Sequence, residues 1–194
     1  MILEYVVGIV SNIVWMLIPF RQVRTNYFFF FVVLAVYSAF FLLDHILLIH
    51  PAKFYFGQGV FLIISLYNFR KTPYYILFLI IILIISIMLP IWLSIATIIP
   101  CLLVEHIIIF FIILKRTILY SYQSKKLNVF HFVLLLFGIT AITRFIVVLK
   151  NLRTGVIFFY ITAAFGILIG IFFLFYNEKN SPELVLEREV RDTD

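Results

Sequence analysis

The chain has 194 residues, 65% of them hydrophobic and 12% charged, with a mean hydropathy of +1.19. A water-soluble domain of that size leaves much of its surface in solvent and cannot hide so much apolar side chain. The formal charge of +6 does not indicate a nucleic-acid partner, because the basic residues never form a run on a polar segment.

Lipid removes the difficulty. The chain is expected to be an all-α polytopic membrane protein, with seven transmembrane helices in one bundle over residues 1–177 and a short acidic cytoplasmic tail over 178–194. Span one covers 2–20 and stops at Arg21 and Arg24; Glu4 and the lack of an early basic residue predict a retained helix, not a cleaved signal. Span two covers 27–50 and is ended by Pro51. Span three, 54–69, is short and closed by Arg70, Lys71 and Pro73.

Residues 73–114 are apolar for about twice the length of one span. They are expected to fold back between Pro90 and Pro100, where Ser94 and Thr97 add hydroxyls and both prolines act as turn elements. Span five then ends at Lys115-Arg116, and a polar loop with Lys125-Lys126 follows. Span six covers 129–149, a turn holds Lys150 and Arg153, and span seven covers 155–176.

This threading puts Arg21, Arg24, Arg70, Lys71, Lys115, Arg116, Lys125, Lys126 and Lys179 on one side, against Lys53, Lys150 and Arg153 on the other. Short loops rich in Lys and Arg stay in the cytoplasm, so the N-terminus is expected outside and the C-terminus inside. Up to Asn177 there are twelve basic residues against three acids; from Glu178 there are three against six. In the tail, Ser181-Pro182-Glu183 has the pattern of a helix start and predicts a short helix over 182–191, with a Glu187–Arg191 pair.

The sharpest chemical signal is charge inside the spans: Asp44 and His45 in span two, Glu105 and His106 in span five, Arg144 in span six. Such groups are costly in lipid and turn to the bundle interior to find partners. At 1.5 Å per residue, Asp44 and Arg144 each lie about 9 Å below the outer boundary and Glu105 about 12 Å below it. An Asp44–Arg144 ion pair is expected, with Glu105 in reach of the same guanidinium. This cluster reads equally as a bridge that fixes helix register or as a polar pocket open to the outside.

No His-x-x-x-His or Glu-x-x-His spacing offers a metal site, and no cofactor is expected. The histidines read as packed core residues. Cys101 is alone, so no intrachain disulfide can form. Thr162, Gly166 and Gly170 line one face of span seven at four-residue steps and predict close packing within the bundle. The aromatic run from Tyr27 to Phe31 predicts an interfacial anchor, and Trp15 and Trp92 read as anchors or packing residues.

No catalytic, nucleotide or metal motif is present. The preferred expectation is a non-enzymatic sensor or regulatory module, taking a small ligand from outside and a cytosolic protein partner at its tail. The alternative is a transporter or channel for a small solute or ion that uses the intramembrane Asp, Glu and Arg. An intramembrane enzyme would have only Glu105–His106 or Asp44–His45 to work with. The Ile-, Phe-, Tyr- and Lys-rich composition indicates an AT-rich bacterial genome, hence a bacterial inner membrane.

Overall fold

The computed structural model describes residues 2–47, 51–66, 92–150 and 155–186, together with Ile80, Ile81, Ile84, Ser86 and Met88. The protein is all-α in character: α1 Ile2–Arg21, α2 Phe28–Leu47, α3 Pro51–Leu66, α4 Ile95–Ser124, α5 Val129–Leu149 and α6 Gly155–Phe175. Two three-residue strands, β1 Lys126–Asn128 and β2 Glu183–Val185, pair antiparallel with Leu127 opposite Leu184.

Many of these helices are rich in Ile, Val and Phe, which are mediocre helix formers in water. A helix nevertheless satisfies every backbone group within its own segment, which is what an apolar surrounding demands. Among the described residues two helices, α4 and α5, are long and apolar enough to cross a bilayer, their most apolar 18-residue stretches having mean hydropathies of 2.6 and 2.5. Only 28% and 11% of those stretches are buried within the bundle. Phe111, Ile118 and Phe132 all point outward on them.

The core lies where Ile18, Tyr27, Phe30, Phe31, Ile113, Phe130, Leu134 and Phe173 meet. There α6 approaches α1 closely: a Cβ on Gly170 would stand 2.6 Å from Cγ1 of Val14. No other residue fits that gap without a shift, so the helix axes are set by a missing side chain.

Helices α1, α5 and α6 coincide with the apolar stretches expected over 2–20, 129–149 and 155–176 to within a residue or so. The remainder departs from expectation in particular places. Pro100 does not sit in a turn but inside α4, whose N-cap is Ser94; the Ser94 hydroxyl accepts from the Thr97 amide at 3.3 Å. Proline there removes one early hydrogen bond and is tolerated near the start. Nor does the helix end at Lys115-Arg116: it continues to Ser124 and stops at Lys125, whose φ of 54° is left-handed.

Tyr27 is not an interfacial anchor. It is 1% exposed, with the Arg116 guanidinium 5.5 Å from its ring centroid. Around Ser181 the expected helix start is replaced by β2. The Ser181 hydroxyl accepts instead from the amide of Phe130, at the start of α5, at 2.9 Å. The Glu187–Arg191 pair, the Lys150–Arg153 turn beyond Lys150 and the cluster of Arg70, Lys71 and Pro73 lie outside the described residues.

Candidate functional site

Two polar regions stand out against the apolar bundle. The first is a cavity of about 280 Å³ toward the end of the bundle away from the strands. Each of the six described helices contributes to its wall: Ser11 and Trp15 from α1, Leu34 from α2, Gln58 from α3, His106 from α4, Arg144 from α5 and Gly166 from α6. Most of the wall is apolar, and among the described residues Arg144 is its only Asp, Glu, Lys or Arg.

Arg144 projects across the α5–α6 seam, with Nη2 3.8 Å from where a Gly166 Cβ would stand. Arg144 as a residue is partly exposed and lines the cavity. Among the described residues no carboxylate lies within ion-pair distance of it. His106 lines the same space, packs on Phe145 with ring centroids 4.6 Å apart, and has Nδ1 2.8 Å from the carbonyl of Leu102. A carbonyl can only accept, so Nδ1 carries a proton there.

Glu105 is buried next to the cavity but does not line it. Its carboxylate presses on the backbone of Gly59, where an added Cβ would fall 2.1 Å from Oε2. That oxygen is buried and has no hydrogen-bond partner among the described residues. On the same stretch of α3, a Cβ on Gly57 would stand 2.7 Å from the Tyr37 hydroxyl. The structure therefore brings His106 and Arg144 to one cavity and keeps Glu105 on the far side of the α3 backbone. Asp44 and His45 fall on α2, but their side chains, and with them the expected Asp44–Arg144 pair, lie outside the described part.

Thr162 is buried and donates to the carbonyl of Phe158 at 3.0 Å. Gly166 faces Arg144, and Gly170 faces Val14 and Trp15. The three small residues thus border, in turn, α6 itself, the cavity and α1.

The second region closes the opposite end and was not anticipated. Gln22, fully buried, donates to the carbonyls of Phe173 and Tyr176 at 2.8 and 2.9 Å, satisfying acceptors that the end of α6 leaves open. Glu178 receives the Asn26 amide at 3.1 Å and the Asn26 side chain at 3.2 Å, while its own carbonyl accepts from Asn128 at 3.0 Å. His131, 2% exposed, has Nε2 3.5 Å from Oε1 of Glu178, an ion-pair distance but long for a hydrogen bond. Burial alone would raise the Glu178 carboxyl. The His131 ring and the two Asn26 donors outweigh it and hold that carboxyl below its ordinary value.

Beyond this point β2 lies on β1, Leu186 donates to the carbonyl of Lys125 at 3.0 Å, and Lys126 pairs with Glu183 at 3.0 Å. The segment 176–186 is thus docked across the α1–α2 turn and the α4–α5 hairpin. Sequence reasoning passed over Gln22, Gln58, Asn26 and Asn128. For Gln58 the available signal was a lone amide in an apolar run, which is costly without a partner; Gln22, Asn26 and Asn128 sit in polar gaps and carried no such signal.

Among the described residues no three His, Cys, Asp or Glu side chains converge to hold a metal ion. Comparison with family models, with curated proteins and with solved structures finds no match.

Proposed function

We propose that the protein is a multi-pass module of the cell membrane, with seven crossings, that reads a small ligand in the Arg144 cavity and reports it through the docked segment 176–186 to a cytosolic partner. Among the described residues no set supplies an acid, a base and a nucleophile together, which supports a non-enzymatic reading. The crossing number is supported by the ends of the described helices. Arg116 donates to the carbonyl of Leu66, so α3 ends at the strand-bearing end of the bundle. Ile95 starts α4 about 30 Å from Arg116 along the helix, at the other end. Leu66 and Ile95 thus lie toward opposite ends of the bundle, as the alternation of basic gaps requires.

The observation that carries the functional reading is a continuous aromatic column between the two polar regions. Trp15 lines the cavity and lies 6.3 Å from Phe173; Phe173 lies 5.1 Å from Phe130. Phe130 lies 5.5 Å from Tyr27, and Tyr27 lies 5.6 Å from His131, which faces Glu178. A packed interior moves between discrete arrangements and does not deform continuously, so a change at Trp15 has a physical route to the tail.

Filling the cavity with Ala141→Phe tests this. Hydrogen exchange at the β2 and Leu186 amides, measured in nanodiscs, is expected to change by about fivefold or more, the lower range of allosteric coupling. Unchanged exchange in a folded variant removes the coupling. A second reading, a path for an ion or small solute, is favoured by the orphaned oxygen of Glu105.

A further inference from the structure

The cavity has the chemistry to select its occupant, and this step rests on its being the input site. Charge, walls and size each narrow the choice. Among the described Asp, Glu, Lys and Arg residues only Arg144 lines it, and no described carboxylate neutralises that guanidinium. A cation would be repelled by that guanidinium, whereas an anion is attracted to it and takes the planar, two-pronged donor geometry of arginine. Most of the wall is apolar, including Trp15, Leu62, Phe137 and Phe145, with a few polar side chains such as Gln58 and Thr140 between them. A bare, strongly hydrated anion would exchange its water shell for few polar groups there.

The volume of about 280 Å³ is at the small end of ligand sites. Gly166 borders the cavity beside Arg144, where an added Cβ would make only ordinary contact with Nη2 at 3.8 Å. We infer that the cavity binds a small monoanion with an apolar body, its acidic group on Arg144 and its hydrocarbon part against Trp15 and Leu62. Two sources offer that chemistry: an amphiphilic acid from the water phase, or the anionic head and upper chain of a lipid in the leaflet.

The protein carries its own reporter. It has two tryptophans, and Trp92 is 85% exposed and away from the cavity wall. In a Trp92→Phe background the emission of Trp15 reads the cavity alone. In discs of zwitterionic lipid, octanoate is expected to shift that emission saturably, while octanol and octyltrimethylammonium at equal membrane concentration are not. Arg144→Gln is expected to weaken octanoate by roughly tenfold or more, the loss of a charged hydrogen-bonded pair, and Arg144→Lys, which keeps the charge but not the two-pronged donor, to weaken it less.

Adding phosphatidylglycerol to the disc separates the sources: loss of the octanoate response assigns the anion to the leaflet, and an unchanged response assigns it to water. Octanol acting as well as octanoate overturns the proposal. So does an Arg144→Gln protein that binds octanoate within twofold of the parent. Should Arg144→Gln fail to fold, the octanoate–octanol comparison in the parent still decides. Anion binding without any response at the tail would sink the signalling route and leave this assignment standing.

Discussion

At the scale of single residues, the polar groups of the bundle divide by whether they found partners. Gln22 has two carbonyls for its side-chain donor, and Glu178 has Asn26 and His131 around its carboxylate. Glu105 has neither among the described residues: its buried Oε2 is unsatisfied and its carboxylate lies against the Gly59 backbone. Burying a charged group without compensation costs several kcal/mol, and a neutral amide of the same shape costs less. Glu105→Gln is therefore expected to stabilise the bundle by about 1 kcal/mol or more, read as a higher midpoint of thermal unfolding in detergent. A carboxylate kept at such a cost would be kept for use, so the same variant bears on the transport reading. Proton or solute flux into liposomes that disappears on Glu105→Gln would favour a path over a sensor, whereas a lower unfolding midpoint would mean the carboxylate has a partner after all.

At the scale of elements, the decisive unit is the docked segment. Asn128 caps α5 and also holds the carbonyl of Glu178, and the Phe130 amide is shared between Asn128 and Ser181. One helix start thereby ties two stretches of chain about fifty residues apart, where an isolated tail helix would have been marginal. The exposed Lys126–Glu183 pair adds little, because solvent screens it. The pH dependence follows from the lowered Glu178 carboxyl. A depressed acid contributes stability that is full above its ordinary range and is lost as pH falls through the lowered value. Docking is expected to hold at neutral pH and to loosen by about 1–2 kcal/mol in acid, seen as faster amide exchange at Leu184 and Leu186. Glu178→Gln should show the loosened state at both pH values; a variant that still tightens at neutral pH would assign the effect to another group.

At the scale of the whole molecule, orientation is the claim that organises the rest. The docked segment, the basic end of α4 and the α1–α2 turn with Arg21 and Arg24 share one end of the bundle. The cavity lies nearer the other. Basic loops are retained in the cytoplasm, so reporter fusions are expected to find the N-terminus outside and the C-terminus inside. Both termini on one face would overturn the assignment of the Arg144 cavity to the outer side as well, since that assignment rests on odd crossing.

The helices were readable locally. Apolar runs bounded by Arg21, Asn128 or Lys150 need only their own composition to become helices, because an apolar surrounding leaves the backbone no other way to pair its polar groups. Ser94 and Thr97 were seen as a turn and turned out to cap α4, a difference of one element boundary. What no local pattern contains is the rotation of each helix about its axis against its neighbours. That rotation sends Glu105 to Gly59 and Arg144 to the cavity, and it carries Glu178 to Asn26, a residue 152 positions away. Helical spacing fixes which side chains share a face; only the packing of one helix on another, through gaps such as that at Gly170, decides which faces meet.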